Sequence, residues 1–167
     1  MVTSLTAGRA PILDFDGTLA RLAVPWQELK QSLGVRRVDD LWALGGDRWG
    51  EVTTAEVNAA LVASPVPAVW RLLEEVDQFA VLSNNSESAV RAFLARFPAV
   101  NSRAAVVVGR ETLGGPKTRF EVFARGYARC LAAVGGAFPP TYVGDQLYEL
   151  AFATRLGALV IDVASLG

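Results

Sequence analysis

The amino-acid sequence predicts an α/β fold: a doubly wound, parallel, five-stranded, Rossmann-like sheet with a small helical cap inserted after the first strand. Three observations carry this prediction. Five short apolar runs are bounded by turn residues, helical patterns alternate with the later runs, and the segment between the first two runs is far longer than one crossover helix requires.

The five apolar runs are nearly continuous rather than alternating, which is typical of parallel strands that helices cover on both faces. We predict strands at residues 10–15, 79–83, 104–108, 141–144 and 158–163. Helical patterns long enough to connect parallel strands alternate with the later runs, at residues 86–96, 119–134 and 146–156. This alternation predicts the doubly wound topology.

The long segment between the first two strands, residues 20–78, predicts an insertion. Three parts of it look helical, and Gly and Pro residues separate them. These parts are residues 26–33, 37–44 and 54–63, with breaks at Gly34, at Gly45 and Gly46, and at Pro65 and Pro67. Residues 66–76 then resume as the crossover helix. The predicted division is a core of residues 1–19 and 65–167 and a cap of residues 20–64.

The composition excludes several classes of function. The chain of 167 residues has 16 basic and 17 acidic side chains, so its net charge of −1 offers no broad basic surface to a nucleic acid. Hydrophobic residues make up 51%, which is too many for a disordered chain. The longest apolar runs fall far short of the roughly 18 residues that a membrane span needs. We expect neither a nucleic-acid nor a membrane partner.

The absence of histidine removes further mechanisms, because no Ser-His-Asp triad and no histidine-ligated zinc site can be assembled. The single cysteine, Cys130, lies in the predicted helix over residues 120–134, so we expect it to be a small core residue. No signal-peptide pattern opens the sequence. A cytoplasmic location is therefore expected.

The motif DFDGTL at residues 14–19 carries the clearest chemical signal. It ends the first predicted strand, at the edge where parallel sheets bind their ligands. In an extended segment Asp14 and Asp16 point to the same side. Gly17 lets the chain turn sharply away, and Thr18 adds a hydroxyl beside the carboxylates. The alternative is a solvated Asp-rich turn, but four fixed identities in this order arise by chance in about one such chain in a thousand.

With this motif the sequence resembles the haloacid dehalogenase superfamily of phosphatases and phosphotransferases. That family has a Ser or Thr ending its second strand, a Lys before or within a later helix, and an acidic residue ending the next strand. Ser83 in FAVLSNN, Lys117 in LGGPKTRF and Asp145 in YVGDQLYEL occupy these places in the same order. Glu149 stands where the family often has a second Asp, which is a departure from its pattern.

The resemblance implies a Mg²⁺-dependent phosphomonoester hydrolase that works through an aspartyl-phosphate. Asp14 would attack phosphorus, and Asp16 would protonate the leaving alkoxide and then activate water. Lys117 would offset the negative charge of the phosphate. The implied catalytic residues are Asp14, Asp16, Ser83 and Lys117, and the implied substrate-binding residues are Thr18, Ser83, Asn84 and Lys117.

The same resemblance implies a Mg²⁺ site built from hard oxygen ligands. Its members would be the carboxylates of Asp14 and Asp145 and the backbone carbonyl of Asp16. Glu149 would reach the metal only through water, or it would be a solvated residue in the first turn of its helix. The expected partner is a phosphorylated small molecule.

Other functions compete with this one. A signalling receiver domain accepts phosphate on an Asp at its third strand, and residues 104–109 contain no carboxylate. A phosphomutase or phosphotransferase would use the same residues with another acceptor, and a non-catalytic interaction module would have kept the fold without turnover. Asp16 argues against dehalogenation, because family members that attack carbon generally lack it.

The predicted cap contains aromatic and basic residues that a leaving group would meet. Each of them fits cap packing or a solvated face at least as well as substrate binding, so none is assigned a binding role. These residues are Trp26, Trp42, Trp49, Arg36, Arg37 and Arg48.

Overall fold

The structure is a computed structural model that describes residues 10–44, 47–135 and 139–166. The strands in these ranges are β1 (Ile12–Leu13), β2 (Ala20–Arg21), β3 (Ser64–Pro65), β4 (Phe79–Leu82), β5 (Ala104–Val108), β6 (Thr141–Gly144) and β7 (Leu159–Asp162). Five of them form one sheet in the order β5-β4-β1-β6-β7, and every neighbouring pair is parallel. The predicted five-stranded parallel sheet is confirmed.

Helices connect the strands and form the insertion. The α-helices in the described ranges are α1 (Trp26–Leu33), α2 (Leu41–Leu44), α3 (Trp49–Val62), α4 (Pro67–Glu74), α5 (Glu87–Ala95), α6 (Pro98–Asn101), α7 (Arg110–Leu113), α8 (Phe120–Val134) and α9 (Leu147–Arg155). Short 3₁₀ turns cover Val38–Asp40 and Val163–Leu166. None of the described helices combines the length and the hydrophobicity that crossing a bilayer requires.

The sheet is covered on both faces, as a doubly wound fold requires. Successive strand residues point to opposite faces, so Leu13 and Val81 join one apolar cluster while Ile12 and Ala80 join the other. Helices α4 and α5 contribute to the first cluster, and α8 and α9 to the second. Cys130 is fully buried within the second cluster, which confirms its expected role as a core residue.

The chain leaves the first strand earlier than predicted, because it turns at Phe15. The carbonyl oxygen of Phe15 accepts hydrogen bonds from the backbone N–H groups of Thr18, Leu19 and Ala20. Gly17 has a φ of +86°, a left-handed conformation that favours glycine. The strand ladder is therefore confined to Ile12–Leu13, and the motif DFDGTL forms a tight loop beyond it.

The insertion after β1 begins and ends at a short antiparallel ladder between β2 and β3. Helices α1, α2 and α3 lie between these two strands. Arg96, the residue that follows α5, donates to the carbonyl oxygens of Ala60 and Ala63 at 2.9 and 2.7 Å, which attaches the end of α3 to the core. The small inserted element is thus confirmed, and its extent, residues 20–64, stays a prediction.

Two predicted helices of the insertion differ from the observed ones. Residues 37–44 form a 3₁₀ turn followed by α2, and the Asp40 carboxylate accepts the backbone N–H of Arg37 at the start of that turn. Helix α3 begins at Trp49, five residues before the predicted start at Thr54, because Trp49 packs against the apolar cluster of Leu33, Leu41 and Val52. The predicted break at Gly45 and Gly46 lies outside the described residues.

Candidate active site

A cavity of about 290 Å³ lies at the carboxyl edge of the sheet and is lined by both the core and the insertion. Asp14 and Asp16 reach it from the loop after β1, Ser83 from the loop after β4, and Lys117 from the segment before α8. Because the carboxyl ends of parallel strands share one edge, residues distant in sequence meet there. The structure therefore brings the four predicted catalytic residues to one cavity.

The Lys117 ammonium is the centre of a buried ionic cluster. Its Nζ lies 2.5 Å from Asp14 Oδ1 and 2.7 Å from Glu149 Oε1, and it also donates to the carbonyl oxygen of Leu82 at 3.0 Å. All three ammonium protons thus have an acceptor. Only 1% of Lys117 is exposed, so its charge acts across a medium of low dielectric constant.

Glu149 belongs to this cluster. It is 2% exposed, so its interpretation as a solvated residue is wrong. The hydroxyl of Tyr142 donates to Glu149 Oε2 at 2.7 Å, and that of Tyr148 donates to Oε1 at 2.9 Å. Burial first, and the negative charge of Glu149 second, raise the pKa of Tyr142, so this hydroxyl stays a donor. The role of Glu149 toward a metal stays a prediction.

The cluster contains more acidic groups than basic ones. Two carboxylates, Asp14 and Glu149, share one ammonium. Burial, followed by the charge of Glu149, raises the pKa of Asp14 from 3.8 to about 8, although Lys117 opposes the shift. Burial also raises the pKa of Asp16, and the carboxylates of Asp145 and Glu56 add to that shift. A further cation would be stabilised in these surroundings.

Asp145 lies directly behind the DFDGTL loop. A Cβ atom on Gly17 would come within 2.3 Å of Asp145 Oδ2, so only glycine allows this close approach. Gln146 donates to Oδ2 at 2.9 Å, whereas the buried Oδ1 accepts no hydrogen bond from the described residues. A buried carboxylate oxygen without a donor is costly unless a cation or water meets it.

These donors fit Mg²⁺, which prefers oxygen ligands and neutralises excess negative charge. Among the residues that the structure describes, no three Cys, Asp or Glu side chains converge as a ligand group. The set expected from the sequence needs only two carboxylates, Asp14 and Asp145, because its third member is a backbone carbonyl. The unpartnered Asp145 Oδ1 and the charge excess around Asp14 agree with that set.

The loop after β4 shapes a second side of the cavity. Ser83 Oγ accepts the backbone N–H of Asn85 at 3.1 Å and donates to Asn85 Oδ1 at 3.0 Å. Asn84 Oδ1 accepts the backbone N–H of Lys117 at 2.7 Å, which joins this loop to the lysine. Thr18 is fully buried and lies outside the cavity wall, so the structure does not bring its hydroxyl to the predicted substrate site.

A second buried ion pair at the cavity was missed by the sequence analysis. Glu56 of α3 and Arg110 of α7 are 2.9 Å apart, with Arg110 4% exposed. Glu56 also accepts hydrogen bonds from Asn85 Nδ2 at 3.2 Å and from the backbone N–H of Ser86 at 2.9 Å. One carboxylate of the insertion thus holds three groups of the core.

Arg110 likewise contacts several neighbours besides Glu56. It donates to Thr53 Oγ1 at 2.7 Å and to the carbonyl oxygen of Asn84 at 3.3 Å, and its guanidinium lies 4.4 Å from the centre of the Trp49 ring. A signal for this pair does exist in the sequence. Glu56 shares the helical face of Val52, Ala59 and Ala60, where an acidic residue requires a buried partner.

The tryptophans of the insertion, Trp26, Trp42 and Trp49, all line the cavity. The rings of Trp42 and Trp49 are 4.8 Å apart and inclined by 56°. The arginines behave differently, because Arg36 and Arg37 are exposed and Arg48 donates to the carbonyl oxygen of Leu33. The sequence could not separate these two groups, since both fit cap packing or a solvated face.

Several solved structures are similar to this chain over most of its length. A provisionally named phosphoglycolate phosphatase from Lactobacillus plantarum has a TM-score of 0.66 and 14% identity, with 92% of this chain and 85% of that chain covered. An L-2-haloacid dehalogenase from Xanthobacter autotrophicus has a TM-score of 0.64 and 17% identity, with 92% of this chain and 76% of that chain covered. A provisionally named HAD hydrolase from Bacillus subtilis, solved with bound magnesium, has a TM-score of 0.60 and 12% identity, with 91% of this chain and 85% of that chain covered.

The structural matches include HAD-superfamily hydrolases, dehalogenases and phosphatases, which confirms the resemblance at the level of the fold. No protein-family model and no curated protein matches the sequence. At identities below 20% the likeness establishes the fold alone, and the similar proteins are named for different reactions. The reaction must therefore be argued from the residues of this chain.

Proposed function

We propose that this protein is a phosphomonoester hydrolase of the haloacid dehalogenase type, dependent on Mg²⁺ and acting through an aspartyl-phosphate on Asp14. The observation that carries the proposal is the pairing of Asp14 with Lys117 at 2.5 Å, beside Asp16 on the wall of one cavity. A carboxylate nucleophile, a nearby acid and a buried cation are the groups that phosphoryl transfer requires.

The reaction divides into two displacements. A carboxylate oxygen of Asp14 attacks phosphorus, the bond from phosphorus to the alcohol oxygen breaks, and the protonated Asp16 gives its proton to that oxygen. Asp16 then takes a proton from water, whose oxygen attacks the phosphorus of the aspartyl-phosphate. The bond to Asp14 breaks, and inorganic phosphate leaves. Lys117 offsets the negative charge of the phosphoryl group in both steps.

The proposed Mg²⁺ ligands are the carboxylates of Asp14 and Asp145 and the backbone carbonyl of Asp16. The ion would neutralise phosphate charge that otherwise repels the Asp14 carboxylate. Lys117 cannot do this alone, because Glu149 already shares its charge. Ser83 and Asn84 line the same cavity. Asn84 offers its amide to the phosphate oxygens, and the Ser83 hydroxyl would donate to them in exchange for its hydrogen bond to Asn85 Oδ1.

Phosphorus is favoured over carbon as the site of attack because Asp16 is present and lines the cavity. Displacement of a halide ion needs no proton donor, whereas an alkoxide leaving group does. A phosphotransferase or phosphomutase would use the same residues and pass the phosphoryl group to an alcohol instead of water. The released product distinguishes these possibilities.

The test is phosphate release from a panel of phosphomonoesters with and without Mg²⁺. We compare wild type with Asp14→Asn, Asp16→Asn and a matched control, Asp77→Asn, whose side chain is exposed and lies outside the cavity. Phosphate release should require both Mg²⁺ and Asp14. Its rate should fall by about a hundredfold or more in Asp16→Asn. Mass spectrometry of the quenched enzyme should find a phosphoryl group on the peptide that contains Asp14.

Two results would contradict the proposal. The first is phosphate release that persists in Asp14→Asn, because the proposed nucleophile would then be unnecessary. The second is chloride release from 2-chloropropionate, dependent on Asp14 and faster than phosphate release from every ester tested. Transfer of phosphate to an added alcohol without release to water would indicate the phosphotransferase alternative.

A further inference from the structure

Half of the six residues that the insertion contributes to the cavity wall are tryptophans. Trp26 of α1, Trp42 of α2 and Trp49 of α3 belong to it, and Tyr148 of α9 adds a fourth ring from the core. The rings of Trp42 and Trp49 form a tilted pair 4.8 Å apart. A substrate bound with phosphorus at Asp14 must extend its leaving group into the rest of this cavity, where these rings provide flat apolar surfaces.

Among the residues that the structure describes, the cavity has no unpaired cation for a second anionic group. Five carboxylates and two cationic side chains line it within the described part of the chain. Of the cations, Lys117 is paired with Asp14 and Glu149, and Arg110 is paired with Glu56. Once a bound metal and the phosphate have offset each other, the remaining field of the wall is still negative.

Asp39 extends this negative field into the part of the cavity that the insertion covers. Its carboxylate lines the cavity, and within the described ranges it forms an ion pair with Arg37 at 3.8 Å. The side chain of Arg37 is 76% exposed and that of Asp39 37%, so solvent screens the charge of Arg37 more strongly and the ion pair is weak. A leaving group that carries a carboxylate would therefore meet aromatic rings and a like charge.

We infer that the substrate is a small phosphomonoester whose leaving group is a flat aromatic alcohol without negative charge. This inference rests on the proposed function and names its substrate class. The cavity of about 290 Å³ lies at the lower end of the range for small-molecule sites, which agrees with one ring beside a phosphate. Esters of hydroxy acids, such as phosphoglycolate, are poor substrates on this account, because nothing neutralises their second charge.

The test uses esters whose leaving alcohols have similar intrinsic reactivity, so that recognition alone varies. Benzyl phosphate is compared with cyclohexylmethyl phosphate, which has nearly the same size but no aromatic ring. The compound 4-carbamoylbenzyl phosphate is compared with 4-carboxybenzyl phosphate, which has nearly the same shape but one negative charge more. In every case the bond from phosphorus to the benzylic or alkyl oxygen breaks, Asp16 supplies the proton, and the alcohol leaves.

We expect kcat/KM for benzyl phosphate to exceed that for the cyclohexylmethyl ester by about tenfold. The carbamoyl ester should exceed the carboxy ester by about threefold, because Asp39 is 37% exposed and solvent screens its charge only in part. Equal values within the first pair would overturn the aromatic part of the inference. Equal values within the second pair, or a preference for the carboxylate, would overturn the part on charge.

Substitutions in the insertion test which residues cause these ratios of kcat/KM. Trp42→Ala should reduce the ratio of the benzyl to the cyclohexylmethyl ester toward one, and Trp42→Phe should restore most of it. The matched control is Leu44→Ala in the same short helix, whose side chain is 55% exposed and lies outside the cavity wall. Asp39→Asn should narrow the gap between the carbamoyl and carboxy esters. A merely structural role for either residue would leave both ratios unchanged.

The assay separates failure of this inference from failure of the proposed function. Release that depends on Asp14 but does not discriminate within either pair would overturn the substrate class alone. Absence of release that depends on Asp14, from all four esters and from a broader panel, would overturn both.

Discussion

Two buried ionic clusters face the same cavity, and they are built differently. In the core, one ammonium, that of Lys117, is shared between the carboxylates of Asp14 and Glu149. Between the core and the insertion, one guanidinium, that of Arg110, is matched by the single carboxylate of Glu56. The first cluster therefore has one acidic group more than it has cations, whereas the second has one of each.

We therefore expect the first cluster to serve the reaction and the second to hold the insertion on the core. A balanced buried pair has no excess charge that would attract a further ion, and loss of one partner leaves the other charge unpaired in a poorly polar interior. Glu56 and Arg110 therefore hold the insertion against the loop after β4. An unbalanced pair remains poised to gain a cation, which is the state that a phosphoryl-transfer site needs before its substrate arrives.

The largest expected effect comes from removing each cation in turn. Lys117→Met should lower kcat/KM for benzyl phosphate by about a thousandfold, because the charge that stabilises the transferred phosphoryl group is lost. Arg110→Met should instead lower the free energy of unfolding by about 3 kcal/mol, because Glu56 remains buried without its partner. Its kcat/KM should fall by less than about tenfold, measured below its unfolding temperature. Urea unfolding and steady-state kinetics of both variants check this contrast.

The double variant Glu56→Gln/Arg110→Met provides the control for the neutral cluster. Removing both charges leaves none unpaired, so it should be more stable than the sum of the two single substitutions predicts. Additive losses of stability, or a larger loss of activity in Arg110→Met than in Lys117→Met, would remove the distinction between the two clusters.

A smaller effect is expected from neutralising the excess charge of the first cluster. Glu149→Gln leaves Asp14 and Lys117 as a balanced pair, so the affinity for Mg²⁺ should fall by about tenfold. Isothermal titration of Mg²⁺ into wild type and variant measures the change. Glu74→Gln at the exposed end of α4 is the matched control. Equal affinity in wild type and Glu149→Gln would show that the excess charge does not act on the metal.

The smallest effect concerns the dependence of stability on pH. Burial raises the pKa of the Cys130 thiol from 9.0 to about 12, and the charge of Lys117 opposes this shift. Burial likewise raises the pKa of Tyr127 from 10.0 to about 12. Above the ordinary pKa the unfolded chain loses protons that the folded chain keeps. The stability is therefore present at neutral pH and is lost as the pH rises toward 12.

Cys130→Ala tests this dependence. The cost of its smaller side chain is the same at each pH, whereas the ionisation of the thiol is absent from the variant. The free energy of unfolding should decline less steeply between about pH 8 and about pH 10.5 in Cys130→Ala than in wild type. If the free energy of unfolding declined equally steeply in wild type and Cys130→Ala, the buried thiol would not retain its proton in the folded protein.

The parts of the site that were predictable from the sequence are those determined by strand ends. Asp14, Ser83 and Asp145 each follow a short apolar run, and parallel strands bring such positions to one edge. The extents of β5 and β6 match their predictions and that of α8 differs by one residue, because each is apolar or periodic throughout and bounded by turn residues. The start of helix α3 was not predicted from the sequence, because its first turn depends on the packing of Trp49 against other elements.

The sequence by itself determined the sheet, the insertion and the order of the chemical residues, because local hydrophobic patterns and turn residues encode them. Only the tertiary structure decided that Glu149 is buried against Lys117, that Glu56 joins Arg110, and that Trp42 faces the cavity. These contacts join residues on different elements, and their geometry depends on how the insertion packs over the sheet. A carboxylate has the same local pattern whether solvent or a buried cation meets it, so only its neighbours in space reveal its role.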